Sequence, residues 1–394
     1  MQCINNGRFV AKPVFVASCA VQEVEILIYD FLVIGGGISG ASAAYELADA
    51  GTVLLLEAEQ TMGYHSTGRS AALFTRNYGG PVVRQVNKAS ESFFRSPPVA
   101  FCDRPLLSPR GALTVAMPEH QGKLDALLSM SEPGEEVCLI DPTDAVAMVP
   151  FLRPERISRA VYEANATDID VANLHLGYLK GAKAQGAKTL TSQPVSALSY
   201  QSGAWRIQTK DDQFAAATII NAGGAWADKI GTMAGARSIG LVPKRRTAII
   251  INGPNGLDYG AMPLVDFAGF GAYIKPDAGK LMASPGDATA TDPHDAWADD
   301  MDIAVLADRI EQETTIEVTR IAHSWAGLRS FVADDVPVVG FDPDVSGFFW
   351  LAGQGGYGIM MAPALAVITA DLCLNRSVAD KTSLVEGLSP HRLR

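Results

Sequence analysis

Residues 29–59, YDFLVIGGGISGASAAYELADAGTVLLLEAE, decide the fold. Residues 31–34 are a short apolar run suited to a buried strand. Gly35, Gly37 and Gly40 follow it as GxGxxG. From Ile38 onward, small and apolar residues recur at helical spacing as far as Gly51, which can end a helix. Residues 52–57 read as a second strand ending in Glu57. Strand, glycine turn, helix and strand in this order specify an α/β fold with a parallel sheet.

The same order specifies a ligand. Gly35 permits the tight turn, Gly37 lets backbone approach a pyrophosphate, and Gly40 lets the helix pack closely on the strand. Ile38 and Ser39 open the helix, whose free N–H groups and positive dipole end suit phosphates. Glu57 follows Gly35 by 22 positions, the distance at which a carboxylate accepts from an adenosine ribose hydroxyl. This unit predicts dinucleotide binding and by itself leaves FAD and NAD open.

Composition narrows the classes. The chain has 394 residues, 48% hydrophobic and 19% charged, with a net charge of −11. That balance fits a globular protein of about two domains and argues against a general nucleic-acid binder. Five dispersed cysteines without a CxxC pair fit a reducing compartment, hence a cytoplasmic location. Six dispersed histidines show no metal-ligand spacing, and no metal is expected. No apolar run is long enough to cross a bilayer; the best candidate, 360–374, contains Pro363 and Asp371. Residues 1–28 read as an extension of uncertain role, with a weak alternative reading as an export signal around VASC.

Further segments carry phosphate- and ring-binding chemistry. In HSTGRSAA (65–72), Ser66, Thr67, Arg69 and Ser70 can donate to phosphate or ribitol oxygens, and Gly68 allows close backbone approach. Residues 217–230 read as a strand turning at 221–224 into a helix. Residues 348–352 form another strand, followed by GQGGYG and a long helix containing Pro363.

The motifs GYHSTGRSAA (63–72), FCDRPLLSPR (101–110), LVPKRRTA (241–248), YIKPDAG (273–279), HSWAGLRSFVADDVPVVGF (323–341) and FFWLAGQGGYGI (348–359) run in one order along the chain. In these motifs the sequence resembles the D-amino acid oxidase-type FAD-dependent oxidoreductases, and among them the bacterial D-arginine dehydrogenases. The resemblance spans about residue 29 to the C-terminus. It implies a Rossmann-like FAD-binding domain of the glutathione-reductase-2-like type, with an α+β, sheet-based substrate cap. The expected boundaries are 29–90, 152–226 and 327–390 for the FAD domain, and 91–151 and 227–326 for the cap. The implied FAD contacts add Ala71, Val195, Gly223, Trp226, Arg329, Gly355, Gly356, Tyr357, Gly358 and Ile359 to those above. AGLRSF (326–331) lacks the cysteine through which covalent members tether flavin, so FAD is expected to be non-covalent.

The resemblance also implies a substrate site. Arg329 is the leading carboxylate clamp, because a guanidinium fork matches two oxygens. Arg245 and Arg246 should face opposite sides of a strand, and the resemblance chooses Arg246 as the second arginine. Tyr273 would donate to the carboxylate and His65 would hold a polar network near the substrate amine. Asp103 stands where the resemblance places a cation-binding glutamate, one methylene longer. Gly356 and Met360 would line the ring end, with Met360 in place of a glutamine. Residues 271–286 read as a hairpin with a Pro-Asp-Ala-Gly turn.

The expected reaction is oxidative deamination of D-amino acids, possible substrates including cationic ones. The α-hydrogen leaves as hydride to flavin N5, and the imine hydrolyses to a 2-oxo acid and ammonia. Oxygen or a quinone would reoxidise the flavin, and the chain would act as a monomer or homodimer. The alternatives are a secondary-amine oxidase or dehydrogenase (sarcosine, hydroxyproline or opine-like substrates), a 2-hydroxy acid dehydrogenase, and a non-catalytic FAD subunit of a hetero-oligomer.

Overall fold

The computed structural model describes residues 27–132, 136–269 and 271–394. The expectation of an export signal falls outside these residues, apart from its last two positions, as do Cys3 and Cys19.

Strand β1 (Ile28–Ile34) is flanked by parallel partners, β2 (Val53–Leu56) on one side and Gln213–Asn221 on the other. Lys188–Leu190 extends the parallel sheet beyond β2. Phe348–Ala352 pairs in parallel with the end of Gln213–Asn221. An antiparallel hairpin of Ala197–Gln201 and Ala204–Gln208 pairs with its beginning. Both faces of this sheet are covered, which is why β1, β2 and Phe348–Ala352 are apolar runs without alternation.

On one face lies helix α1 (Ile38–Ala48), packed between Val171–Ala184 and Gly358–Cys373. Its small residues Ala41, Ala43 and Ala44 are fully buried and bring the helices close. Gly40 makes the closest approach: a Cβ there would overlap the Gly35 carbonyl oxygen. Gly35 itself has a φ of 108° and abuts the Ala222 carbonyl, so no side chain fits there either. The other face carries Trp205, Phe348 and Trp350, with Ala227 and Ile230 of the helix Ala227–Met233.

The second sheet runs, in spatial order, Thr289–Ala290, Val242–Ile251, Lys280–Ser284, Tyr273–Asp277, Leu264–Phe267, Ala112–Ala116, Arg159–Glu163 and Val137–Ile140. Ile321–Phe331 pairs along the full length of Val242–Ile251. One face is sealed by the helices Pro142–Met148 and Asp300–Glu313, which contribute Ala145, Leu306 and Ile310 to a core with Ile249, Ile251, Val265, Ile274 and Ala283. The expected hairpin is present. Tyr273–Asp277 and Lys280–Ser284 are joined by Ala278 and Gly279, whose φ values of 46° and 77° make the turn that suits a right-twisted ribbon.

Two expected boundaries move. Arg159–Glu163 belongs to the second sheet, between Ala112–Ala116 and Val137–Ile140, so a boundary at 152 cuts that sheet. Residues 227–241, read as cap, pack their Ala227, Ile230, Ile239 and Leu241 on the first sheet. Both errors come from strand and helix patterns that do not state which sheet they join.

Gly40→Ala should destabilise the fold by about 1–3 kcal/mol, the usual cost of overpacking. Gly80→Ala, where a Cβ meets no heavy atom within 4 Å, should change little. Denaturant unfolding of the two variants measures the contrast, and equal midpoints would remove the close-packing role of Gly40.

Candidate active site

A cavity of about 430 Å³ opens at the C-terminal ends of the parallel strands and runs to the edge of the second sheet. At one end are Gly35, Gly37, Ile38, Ser39 and Glu57; Val195, Gly223 and Trp226 follow, and Arg246, Arg329, Gly355, Gly356, Gly358 and Ile359 close the other. The two Glu57 oxygens accept from Gly36 N–H at 2.7 Å and Glu59 N–H at 3.0 Å. Each oxygen keeps a lone pair for a further donor. Thr67 Oγ1 accepts from Ile38 N–H at 2.9 Å and locks the loop 63–72 against the start of α1.

Among the described residues, two polar atoms on the cavity wall have no partner. Gln354 accepts a hydrogen bond from Ser39 Oγ at 2.5 Å, but its Nε2 is buried without one. Ser330 Oγ is likewise buried and unpaired. Buried polar groups of this kind cost free energy unless satisfied, and a dinucleotide in the cavity would supply oxygens and ring nitrogens to them. With the glycine clearances and the helix start, the lining fits such a cofactor. Gln354 was missed in the sequence because nothing in GQGGYG marks its side chain as inward-facing.

Some expected contacts are engaged otherwise. Arg69 Nη2 donates to Asp295 at 2.6 Å, and its Nη1 donates to the Ala326 and Ala296 carbonyls at 2.9 and 3.0 Å. Its guanidinium ties the loop to the cap and is committed before any phosphate arrives. Ser66 Oγ donates to the Leu328 carbonyl at 2.5 Å, and Ser70 Oγ accepts from Ala72 N–H at 3.2 Å. Both residues line the cavity; Gly68 and Ala71 do not. Gly68 instead closes the turn through its N–H to the Gly63 carbonyl, and a Cβ there would crowd that oxygen.

Two arginines, Arg246 and Arg329, line this end of the cavity, and three tyrosines, Tyr78, Tyr273 and Tyr357, stand near them outside its lining. Val242–Ile251 places Arg245 and Arg246 on opposite faces. Arg245 turns to Asp302 at 2.8 Å, while Arg246 lines the cavity. Arg246 Nε donates to the Asp287 carbonyl at 2.6 Å, leaving both terminal nitrogens without a hydrogen-bond partner among the described residues. Burial lowers the Arg246 pKa, and Arg329 nearby lowers it further, opposed by Tyr273, Tyr78 and Asp287. Arg246 stands opposite Gly327 and Lys244 opposite Arg329, so the two arginines are diagonal neighbours on one face. The Arg329 guanidinium makes no ion pair or hydrogen bond among the described residues. It and the Tyr78 hydroxyl converge over Gly356, where a Cβ would sit 3.0 Å from Arg329 Nη1 and 3.3 Å from Tyr78 Oη. Tyr357 packs edge-on against Tyr78, and burial pushes its phenol up to about 12. Tyr357 therefore belongs to this cluster and not to the cavity wall where the sequence had placed it.

Tyr78 was missed. It sits in the loop 75–80, which has no periodicity to read. Asn87, fully buried, donates from Nδ2 to the Tyr78 carbonyl at 3.0 Å, and Arg84 donates to Asn77 at 2.6 Å. Thr75 bonds Glu163 and accepts from Asn77 N–H. The loop is thus held from both sides.

Two expected substrate residues are elsewhere, and a third is engaged otherwise. Asp103 is exposed, on the loop tied to the first turn of Val171–Ala184 by a bond from Asn173 Nδ2 to the Arg104 carbonyl at 3.1 Å, outside the cavity lining. Met360 is 5% exposed and packs in the core between α1 and its neighbouring helices, because the helix rotates it away from the cavity that Gly358 and Ile359 line. His65 lines the cavity, but its Nε2 bonds Glu59 at 2.9 Å and its ring packs on Trp226. None of the described cysteines lines the cavity. Among the described residues, no helix is long and apolar enough to cross a membrane.

Comparison with known proteins agrees with this architecture. The family model described as DAO, FAD dependent oxidoreductase, matches residues 30–372. A glycine oxidase of Geobacillus kaustophilus (strain HTA426) is 24% identical over 89% of this chain and 94% of its own. The mitochondrial dimethylglycine dehydrogenase of Homo sapiens is 25% identical over 87% of this chain, which spans 42% of that longer protein. The crystal structure of L-proline dehydrogenase from P. horikoshii superposes with a TM-score of 0.80 at 22% identity, covering 93% of this chain and 97% of that one. The family model and these relatives support the resemblance at the level of the whole family, not its D-arginine dehydrogenase branch, and the solved structure supports the fold.

His175 supports the glycine loop from behind, with its Nε2 2.9 Å from the Gly36 carbonyl. Burial lowers its pKa, and the Gly36 carbonyl and Glu57 offset this only in part. The unfolded chain therefore takes up a proton below about pH 6.5 before the folded chain does, so stability falls as pH drops through that range. The melting temperature of the wild type should fall more steeply on acidification than that of His175→Gln. Parallel curves would show that His175 carries no such linkage.

Proposed function

Because the chain belongs to the FAD dependent oxidoreductase (DAO) family, we propose that it oxidises the α-carbon–nitrogen bond of amino acids, with D-configured primary amino acids as substrates. The cofactor is FAD, which accepts the electron pair removed from the substrate. The observation that carries the reading of an α-carboxylate substrate is the cationic cluster: among the described residues Arg329 has no counter-ion and both terminal nitrogens of Arg246 are unpaired, and the hydroxyl of Tyr78 lies beside Arg329. Two like charges held diagonally in a water-poor recess repel each other. An α-carboxylate removes that repulsion and accepts from both guanidinium forks.

The chain's own groups then have defined work. Arg329 and Arg246 hold the carboxylate, and Tyr78 and Tyr273 donate hydroxyls to it. Gly356 leaves room for the α-carbon where any side chain would meet Arg329 and Tyr78. Fixing the carboxylate at several points orients the α-hydrogen, the part of catalysis that positioning supplies. The amine loses its proton to the medium, and the released imine takes up water to give a 2-oxo acid and ammonia. FAD is proposed to be held without a covalent bond. His65 is proposed to order the wall near Trp226 and not to act as a base.

N-substituted amino acids form the second reading. The relatives' names, dimethylglycine dehydrogenase and L-proline dehydrogenase, point to tertiary and secondary amines beside a carboxylate. The arginine cluster would hold either class. A non-catalytic FAD subunit would have no use for an unpaired guanidinium in a recess, since desolvating a charge without a partner costs stability.

Anaerobic titration of the flavin absorbance with D- and L-amino acids, sarcosine, hydroxyproline and a 2-hydroxy acid tests the proposal. Bleaching by D-amino acids is expected. Bleaching by N-substituted amines alone replaces it with the second reading, and bleaching by none revives the subunit reading. Arg329→Ala should lose about 30- to 4000-fold in kcat/KM, matching the 2–5 kcal/mol typical of truncating a desolvated charge pair, while retaining FAD. Tyr78→Phe should lose about 3- to 10-fold, one neutral hydrogen bond. Unchanged flavin reduction in Arg329→Ala would overturn the clamp.

A further inference from the structure

One carboxylate on the face of the second sheet that carries Arg246 and Tyr273 has no place in the cluster above; like Tyr273, it lies outside the lining of the cavity. Asp266 lies in Leu264–Phe267, directly opposite Tyr273 in the antiparallel register. Strand alternation assigns its face. Val265, Phe267 and Ile274 point into the core beneath the two sealing helices, so Asp266 and Tyr273 point the other way. Ile249, Ile251 and Ala283 occupy that same core, which puts Arg246 and Ser284 on the face of Tyr273 and Asp266. Across this face the strands follow in the order Arg246, Ser284, Tyr273, Asp266. With neighbouring strands about 4.8 Å apart, Asp266 lies one strand beyond Tyr273, on the side away from Arg246.

The chemistry of Asp266 is as unusual as its place. Other acids near this face are paired: Glu163 bonds Thr75, and Asp168 bonds Arg110 and Lys275 at 2.7 and 2.9 Å. Asp266 has no hydrogen bond or ion pair among the described residues, yet it remains partly accessible. Its surroundings are nonetheless deep. Burial pushes its carboxyl up to about 6, and Lys123 of the helix Gln121–Met130 only partly offsets this. A carboxylate that is desolvated, unpaired and still reachable is poised for a donor from outside the chain.

We propose that Asp266 is a specificity-determining residue that receives a cationic group at the far end of the substrate. This rests on the reading in which Arg246 and Arg329 hold the α-carboxylate. The substrate class is then an amino acid whose side chain ends in an ammonium or guanidinium group, several methylenes from the α-carbon. Asp266 takes the part the sequence had given to Asp103. A neutral side chain of the same shape would leave Asp266 unpaired and bind less well.

The test compares D-arginine with D-citrulline, which has the same length and shape without the charge, on wild-type holoenzyme and Asp266→Asn. Dissociation constants come from perturbation of the flavin absorption and reduction rates from stopped flow, both without oxygen. D-arginine is expected to bind the wild type about 10- to 100-fold more tightly than D-citrulline, the worth of a charge-assisted hydrogen bond. Asp266→Asn should remove that preference and leave the D-citrulline constant within about threefold, which also shows that the variant is folded. The L-forms are titrated alongside, so that a binding preference can be read even where no ligand is oxidised. Absence of flavin reduction by every ligand would sink the proposed reaction and leave the binding comparison to judge Asp266. No preference for arginine in the wild type, or a preference that survives in Asp266→Asn, would overturn the assignment of Asp266.

Discussion

The register between Val242–Ile251 and Ile321–Phe331 is the constraint on which the site depends. It sets Arg246 against Gly327 and Lys244 against Arg329, and so brings two guanidinium groups onto one face as diagonal neighbours. A slip of one residue would turn one arginine to the opposite face. Gly327 has no side chain to fill the space beside Arg246. Lys244, the third cation on this face, is drawn aside over the Phe331 ring at 4.8 Å. The pairing therefore concentrates positive charge at the point where the second sheet meets the cavity, and among the described residues the Asp287 carboxylate, 3.9 Å from Arg246 Nε, is the one acid that pairs with either arginine.

The rest of the fold serves that junction. The parallel sheet presents the glycine turn, the start of α1 and Glu57 at one end of the cavity. The loop 63–72 crosses between the sheets, bonded to α1 through Thr67 and to the cap through Ser66 and Arg69. Its hydroxyls and arginine are structural ties, which explains a segment too polar for a core and too well bonded for a surface loop. Asp287 orients Arg246 from behind while accepting from Thr247 N–H at 2.7 Å. Tyr78, on a loop anchored by Asn87 and Arg84, completes the cluster from the first unit.

Much of this is legible in the amino-acid sequence. The dinucleotide unit is local, since strand, turn, helix and acid lie within 31 consecutive residues and each follows from propensity or from glycine's missing side chain. The opposite orientations of Arg245 and Arg246 follow from alternation alone. Errors arise where a side chain's destination depends on a partner far away in the chain. Asp103 is placed by its motif, but the loop carrying it folds against Val171–Ala184. Met360 lies one residue past the cavity wall, and a turn of helix takes it into the core. Tyr78 and Asp266 lie in segments without a motif, and only cross-strand and loop contacts reveal them.

The sequence by itself determined the α/β class, the dinucleotide turn, the hairpin at 273–284 and the pairing of charge with a strand face, because each of these is set by interactions within a few residues. Which sheet claims Arg159–Glu163, which groups are left unpaired in the cavity, and which carboxylate stands beyond Tyr273 were decided only by the tertiary structure. Those outcomes depend on register between strands distant in sequence, and on which polar groups find partners once the two sheets have closed on each other.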